Sequence, residues 1–317
     1  MLTQVQGQAN AVAMLQRVAV GTYTSPLLLL GPDGVGRRLS VECLVRQMFC
    51  TGSHTVTCDC LHCVQLQHKV HADYLFVQPE EGKDIGIDVA RQILALAASY
   101  PVLAPVRVIL IDGVDRLTTA AANALLKTIE EPPPFIRFFF TANALGGVLP
   151  TIKSRCGIVQ YNALPEAFVL SLLERTGVSP EKAHALAQLA EGSAGQALSF
   201  WATGKLKLRD KVITLLESSV GGDLSRIFSG VDDIGDSILL GTYFLLAVLR
   251  DLLLLKHTTE GITNVDVLST LQALQVKVPH TKVLQLYVGI RALHARERVS
   301  SINFPFHVKT LLATTFV

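Results

Sequence analysis

Along the first half of the chain, short unbroken apolar runs alternate with longer stretches of helical periodicity. Pro26 leads into four leucines, Leu27 to Leu30, that stop at Gly31. The stretch 106–112 reads Val-Arg-Val-Ile-Leu-Ile-Asp and 136–141 reads Ile-Arg-Phe-Phe-Phe-Thr, with shorter candidates at 74–77 and 157–161. A strand covered on both faces needs continuous apolarity rather than alternation. Strands separated by helical stretches predict a parallel sheet flanked by helices. Between two of these strands, 118–131 carries four alanines with Leu125, Leu126 and Ile129, opened by Thr118 and stopped by Pro132 to Pro134. Alanine's helix preference, the hydroxyl cap and the proline stop predict one helix there. Beyond about residue 162 the strand signals end. The region 166–198 reads as short helices broken near 177–180 and 192–195, and everything from 205 onward reads as helical. Val283, Leu286, Ile290 and Leu293 share one helical face. Connections are predicted at 219–223, 230–236 and 277–279. The expectation is an α/β domain over 1–162, a small helical domain over 163–204 and an all-α domain over 205–317.

Composition narrows the class. Of 317 residues, 50% are hydrophobic and 17% charged, which excludes a disordered chain. Lys and Arg number 28 against 26 Asp and Glu, a formal charge of +2. That balance argues against independent DNA binding, which needs an excess of cations to neutralise phosphates. It suits a chain that buries apolar surface against partners. The most apolar run, 238–249, is broken by Arg250 and Asp251, short of the ~20 residues that a membrane span needs. It predicts a buried helix. Gln4, Gln6, Gln8 and Asn10 interrupt any secretory signal, so a cytoplasmic location is expected.

The stretch from Gly31 through Gly34 and Gly36 to Arg37 and Arg38 follows a predicted strand and precedes a predicted helix. It fits the phosphate loop G-x-x-x-x-G-K-[ST] in its glycines and its context. In a working loop the lysine reaches the outer phosphates and the hydroxyl residue ligates magnesium. Here Arg37 replaces the lysine and Arg38 the hydroxyl, and a planar guanidinium is no conservative stand-in for a compact ammonium. On the matching acidic strand, Asp112 is followed by Gly113 where a working ATPase usually carries a glutamate. Three requirements of phosphoryl transfer fail together, which predicts a relic site without ATP hydrolysis. The loop is expected either to hold an anion or merely to turn strand into helix.

Four of the six cysteines, Cys50, Cys58, Cys60 and Cys63, fall within fourteen residues. Clustered cysteines in an unexported chain point to metal, and Cys-x2-Cys supplies two soft ligands from one turn. A structural zinc site is expected, with reduced cysteines as the bland reading and with His54 or His62 open as a substitute ligand. Cys43 and Cys156 are placed outside it.

These motifs together resemble the AAA+ subunits of the bacterial clamp loader, which opens the sliding clamp for the replicative DNA polymerase III. Gly7-Gln8 is similar to that family's G-Q box, and the degenerate loop and the cysteine module follow in the family's order. Asn123 to Pro133 is similar to its N-A-L-L-K-x-x-E-E-P-P stretch, Ser154-Arg155-Cys156 to its S-R-C motif, and Ser301 to Asn303 to its short asparagine motif. The missing lysine, hydroxyl and glutamate, with Gln196 at the second-sensor arginine position, resemble the delta-prime branch rather than the gamma/tau ATPases. Two departures stand out: a cysteine spacing about two residues short, and His71-Ala72-Asp73 for the usual His-Pro-Asp.

The resemblance implies an AAA+ module over 1–162 with its zinc module at 50–63, a lid over 163–204 and an oligomerising collar over 205–317. It implies Arg155 as an arginine finger acting in trans on a neighbour's ATP, and Asn143 and Asp112 as relic positions. Lys127, Glu130 and Glu131 read as interface, packing or a solvated helix face. Implied partners are gamma/tau-type ATPase subunits, the clamp-opening delta subunit, the sliding clamp, and primer-template DNA through the assembly. The rival readings are an ATP-hydrolysing gamma/tau-type motor or branch-migration helicase, and a zinc-dependent nucleic-acid binder built on the basic stretch Arg291, His294, Arg296 and Arg298.

Overall fold

The computed structural model describes residues 2–55, 57–80, 82–297 and 303–316. Ser301, Ile302 and Arg298, and the side chain of Arg296, lie outside the described residues. The chain divides into two compact units, one of 1–165 with 193–195, the other of 166–192 with 196–317.

The first unit is a five-stranded parallel sheet between two helical layers. Its strands are β1 (Leu27–Leu30), β2 (Tyr74–Val77), β3 (Arg107–Asp112), β4 (Ile136–Ala142) and β5 (Gly157–Gln160), in the order β2-β3-β4-β1-β5. The unbroken apolar runs have a plain cause: each serves two cores. Leu28 and Leu30 face one core with Ile109, Ile111, Phe138 and Phe140. Leu27 and Leu29 face the other with Val108, Leu110 and Phe139. Helices α1 (Ala9–Ala19) and α2 (Arg37–Phe49) close the second core through Leu15, Val18, Val41 and Leu44. A short helix, α3 (Leu61–Gln67), follows α2. The first core is closed by α4 (Ile87–Ala97) and α5 (Thr119–Glu130), through Ala90, Ile93, Ala121, Leu125 and Ile129. Thr118 caps α5 by accepting from the Ala121 N–H at 3.3 Å. A last short helix, α6 (Pro150–Lys153), precedes β5.

One buried ion pair pins the edge of this sheet. The carboxylate of Asp73, just before β2, accepts from the N–H groups of Val102 (2.9 Å), Leu103 (2.7 Å) and Ala104 (2.9 Å), and from Arg107 Nη2 at 3.2 Å. Arg107 in turn donates to the carbonyls of Leu96, Ser99 and Tyr100 at the end of α4. Both side chains are fully buried. Burial pushes the Asp73 carboxyl up, but the N–H donors and the guanidinium outweigh it and hold it below the usual carboxylate range.

The second unit is all helical, as expected: α7 (Glu166–Arg175), α8 (Pro180–Leu189), α9 (Ala194–Ala202) from Gln196 onward, α10 (Leu206–Val220), α11 (Leu224–Ile234), α12 (Ile238–Leu254), α13 (Leu268–Lys277), α14 (His280–Glu297) and α15 (Phe304–Phe316). The predicted face of α14 is inward, with Val283, Leu286, Ile290 and Leu293 all buried. The connection predicted at 230–236 is shorter than expected. Helix α11 runs on to Ile234, because Ile227, Val231 and Ile234 make one buried stripe, and the chain turns at Gly235 with φ +58°. A buried guanidinium organises this unit too: Arg209 is clasped by both oxygens of Asp266 at 2.7 and 2.8 Å. Among the described residues, no single helix is long and apolar enough to cross a membrane.

Removing the Asp73 carboxylate strands a buried cation and three backbone donors. Asp73→Ala is expected to lower stability by about 3–5 kcal/mol, read as a lower urea midpoint. The stabilisation is present above the unfolded carboxylate pKa of about 4 and is lost as pH falls toward the lower folded value. Below about pH 4 the native chain should therefore lose stability with acid more steeply than the variant. Equal acid slopes would contradict this account.

Candidate functional site

In a parallel sheet all strands point their carboxyl ends to one edge, and ligands bind there, where the strand order reverses. The register sets Leu30 of β1 beside Ala142 of β4, and Thr141 of β4 beside Asp112 of β3. The loop after β1, Asp112, Thr141 and Asn143 thus converge on one cleft of about 570 Å³, which Arg37 also lines. Gly34 and Gly36 take φ of +72° and +98°, so the loop keeps the left-handed turns that wrap a phosphate.

What fills the loop is its own side chain. Arg37, 6% exposed, turns back to the sheet. Its Nη1 donates to the Ala142 carbonyl, and its Nη2 donates to Asp33 Oδ1 at 2.6 Å and Asn143 Oδ1 at 2.7 Å. The Asn143 amide closes the ring by donating to Asp33 Oδ2 at 2.8 Å. Asp112 is likewise engaged: the Thr141 hydroxyl donates to it, and itself accepts from the Gly113 N–H at 2.9 Å. Arg38 points away from the loop, donating to Glu42 at 2.7 Å with its guanidinium 3.9 Å from the centre of the Phe76 ring. The charge that a phosphate would need is matched inside the protein, by the Asp33 carboxylate at the mouth.

The four clustered cysteines come together. Cys50 follows the end of α2, Cys58 and Cys60 lie in the loop, and Cys63 is in α3. Their sulfurs all lie within 4.8 Å of one another, with Cys50 to Cys58 at 3.6 Å and Cys50 to Cys60 at 4.0 Å. Bonds of about 2.3 Å to a tetrahedral zinc would set sulfurs about 3.8 Å apart, so the donor set fits a metal ion of that size. Gly52 makes room for it: a Cβ there would stand 2.6 Å from Cys58 Sγ. The backbone N–H of Cys63 helps hold the Cys60 thiol at about 5, favouring thiolate, while burial pushes Cys63 up to about 12. His62 does not join: its Nδ1 lies 2.9 Å from Nε2 of His71. His71 accepts from the Asp73 N–H through Nδ1 at 3.0 Å, so its proton sits on Nε2 and is offered to His62. Burial and the neighbouring His62 lower the pKa of His71, in keeping with a neutral ring. Neither His54 nor His62 belongs to the cluster.

Arg155 lies just after α6, away from the cleft. Its Nε and Nη2 donate to one oxygen of Glu130 at 3.0 and 2.8 Å, and its Nη1 donates to the Thr151 carbonyl at 2.9 Å. Residue spacing alone does not reveal Thr141 or Glu130 as partners. Asp33, four residues before Arg37, carried the only local signal; Thr141 and Glu130 meet their partners through the sheet and the α5–α6 contact.

A phosphate loop at the switch point of a five-stranded parallel sheet, occupied by its own arginine, defines a phosphate-loop type of α/β module. A model of the family described as DNA polymerase III, delta subunit, matches residues 7–165, and the chain belongs to that family. It is 29% identical over 282 residues to DNA polymerase III subunit delta' of Escherichia coli, covering 87% of this chain and 83% of that one. It is 36% identical over 133 residues to the delta' subunit of Haemophilus influenzae, covering 42% and 41%. With DNA polymerase III subunit gamma/tau of Mycobacterium tuberculosis it shares 33% identity over 175 residues, 54% of this chain and 30% of that one. A solved gamma subunit-related protein of Thermotoga maritima aligns over 96% and 98% of the two chains, at 19% identity and a TM-score of 0.48. The delta-prime resemblance read from the motifs is thus the one that the relatives carry.

The cysteine cluster makes a direct prediction. Protein purified anaerobically without chelator should carry about one equivalent of bound metal, and Cys63→Ser should lose most of it. Less than half an equivalent in the native chain would overturn the cluster as a metal site.

Proposed function

We propose that this chain is a non-hydrolysing, delta-prime-type subunit of the clamp loader that serves a replicative DNA polymerase III in the cytoplasm. It scaffolds a ring with gamma/tau-type ATPase subunits and a clamp-opening delta subunit. Through that assembly it meets the sliding clamp and primer-template DNA. The observation that carries the reading is the closed ring of Arg37, Asp33 and Asn143 in the phosphate loop. A loop whose cation is already matched by an internal carboxylate offers a triphosphate no net charge. Family membership and the delta-prime relatives point the same way.

In this reading the α/β module, a lid over 163–204 and a collar over 205–317 are the three working parts. The loop glycines, Asp112 and Asn143 are kept as architecture. Cys50, Cys58, Cys60 and Cys63 hold a structural zinc that staples the end of α2 to α3, with no catalytic role. Arg155 is the chemically active group. As an arginine finger it reaches the γ-phosphate of ATP bound to a neighbouring subunit and stabilises the charge developed in transfer, an effect worth about 10³–10⁵ in rate at that site. The finger works in trans, so the state of this chain's own cleft does not matter to it.

Two measurements test the reading. Titration of the isolated chain with ATP and magnesium should give no saturable heat up to about 1 mM nucleotide and no turnover; tight binding with hydrolysis would instead support the motor. In a loader reconstituted with its cognate ATPase and clamp-opening subunits, Arg155→Ala should assemble normally and lower steady-state ATP turnover about two-fold or more. Unchanged turnover would remove the finger from the account.

A further inference from the structure

The guanidinium of Arg155 is not idle in the free chain. Of its five N–H groups, two are spent on Glu130 Oε2, through Nε at 3.0 Å and Nη2 at 2.8 Å. Nη1 is engaged by the Thr151 carbonyl at 2.9 Å and the Ser154 hydroxyl at 3.2 Å. Only one Nη2 hydrogen is left over. Glu130 is the first glutamate of the E-E-P-P stretch, at the end of α5, so the pair joins the two motifs that the sequence shows 25 residues apart. Its geometry matters for a group meant to meet an anion. A finger paired to a carboxylate presents a neutral couple, and the edge that best forks onto a phosphate is covered.

The pair is also easily broken. The two side chains are 27% and 56% exposed, and ion pairs of that exposure hold weakly because water and salt screen them. The Thr151 and Ser154 contacts lie on the other nitrogen, so a swing that frees the Nε and Nη2 edge can leave them in place. We infer that Glu130 is a holding carboxylate: it stows the arginine finger in the free subunit, and a neighbour's triphosphate must displace it to engage Arg155. The inference rests on the finger reading above and adds its regulation. Contact with the triphosphate becomes an exchange of one anion for another, so the finger engages only where a stronger anion is presented.

The test uses the full chain in the reconstituted loader. Glu130→Gln keeps the size of the side chain and removes its charge, and its urea midpoint should match the native chain because the position is exposed. Steady-state ATP turnover at sub-saturating ATP should rise about two- to five-fold, the size expected from releasing one exposed ion pair. Glu130→Ala should move the rate in the same direction. The double variant Glu130→Gln with Arg155→Ala should be as slow as Arg155→Ala alone, since the carboxylate acts only through the arginine. If Arg155→Ala slows the loader but the Glu130 variants leave it unchanged, the holding role is overturned. If they slow it, Glu130 is a positioning residue instead and the inference is equally overturned. If Arg155→Ala itself has no effect, the finger reading falls and the inference falls with it.

Discussion

A guanidinium cannot be deprotonated at any pH the protein meets, so wherever the fold buries one it must also bring a carboxylate to it. Three arginines impose that constraint here, and the architecture is arranged around them. Arg37 draws Asp33, Asn143 and the end of β4 into the phosphate loop. Arg107 draws Asp73 and three carbonyls at and just past the end of α4 to the edge of the sheet. Arg209 draws Asp266 against α10. In each case the charge is matched by a carboxylate, and further donors of the guanidinium reach oxygen atoms of the surrounding chain.

In the proposed reading the phosphate loop is an active site retired without being dismantled. Its glycine turns remain, because the turn from β1 into α2 still needs them. The acidic strand end remains, now tied to Thr141 and Gly113. What changed is ownership of the charge: the one cation in the loop answers to side chains of its own chain. Arg155 is the opposite case. It is partly exposed, weakly held, and lies outside the cleft, where a neighbouring molecule can reach it.

Much of the fold was legible from one sequence because its strands serve two cores. The four leucines of β1 and the three phenylalanines of β4 could only be doubly covered strands, and Thr118 and Pro132 marked the limits of α5 within a residue or so. The connection at 230–236 was misjudged because Gly230 reads as a breaker, whereas the stripe of Ile227, Val231 and Ile234 carries the helix through it. The cysteine cluster was legible by spacing. Its histidine neighbours were not: the pairing of His62 with His71 depends on the chain turning back after α3, which spacing does not encode. The same holds for Glu130 and Arg155, whose meeting is a product of the packing of α5 on α6.

The strand order carries a consequence for synthesis. β1 lies between β4 and β5, so the leucines at 27–30 pair with residues 139–142 and 157–160. During translation this apolar segment has no strand partner until about a hundred further residues have been added. Non-local pairing of this kind closes slowly and leaves a sticky edge waiting in the meantime. Until residues 139–142 have been made, that run of leucines is an apolar segment without either of its neighbours.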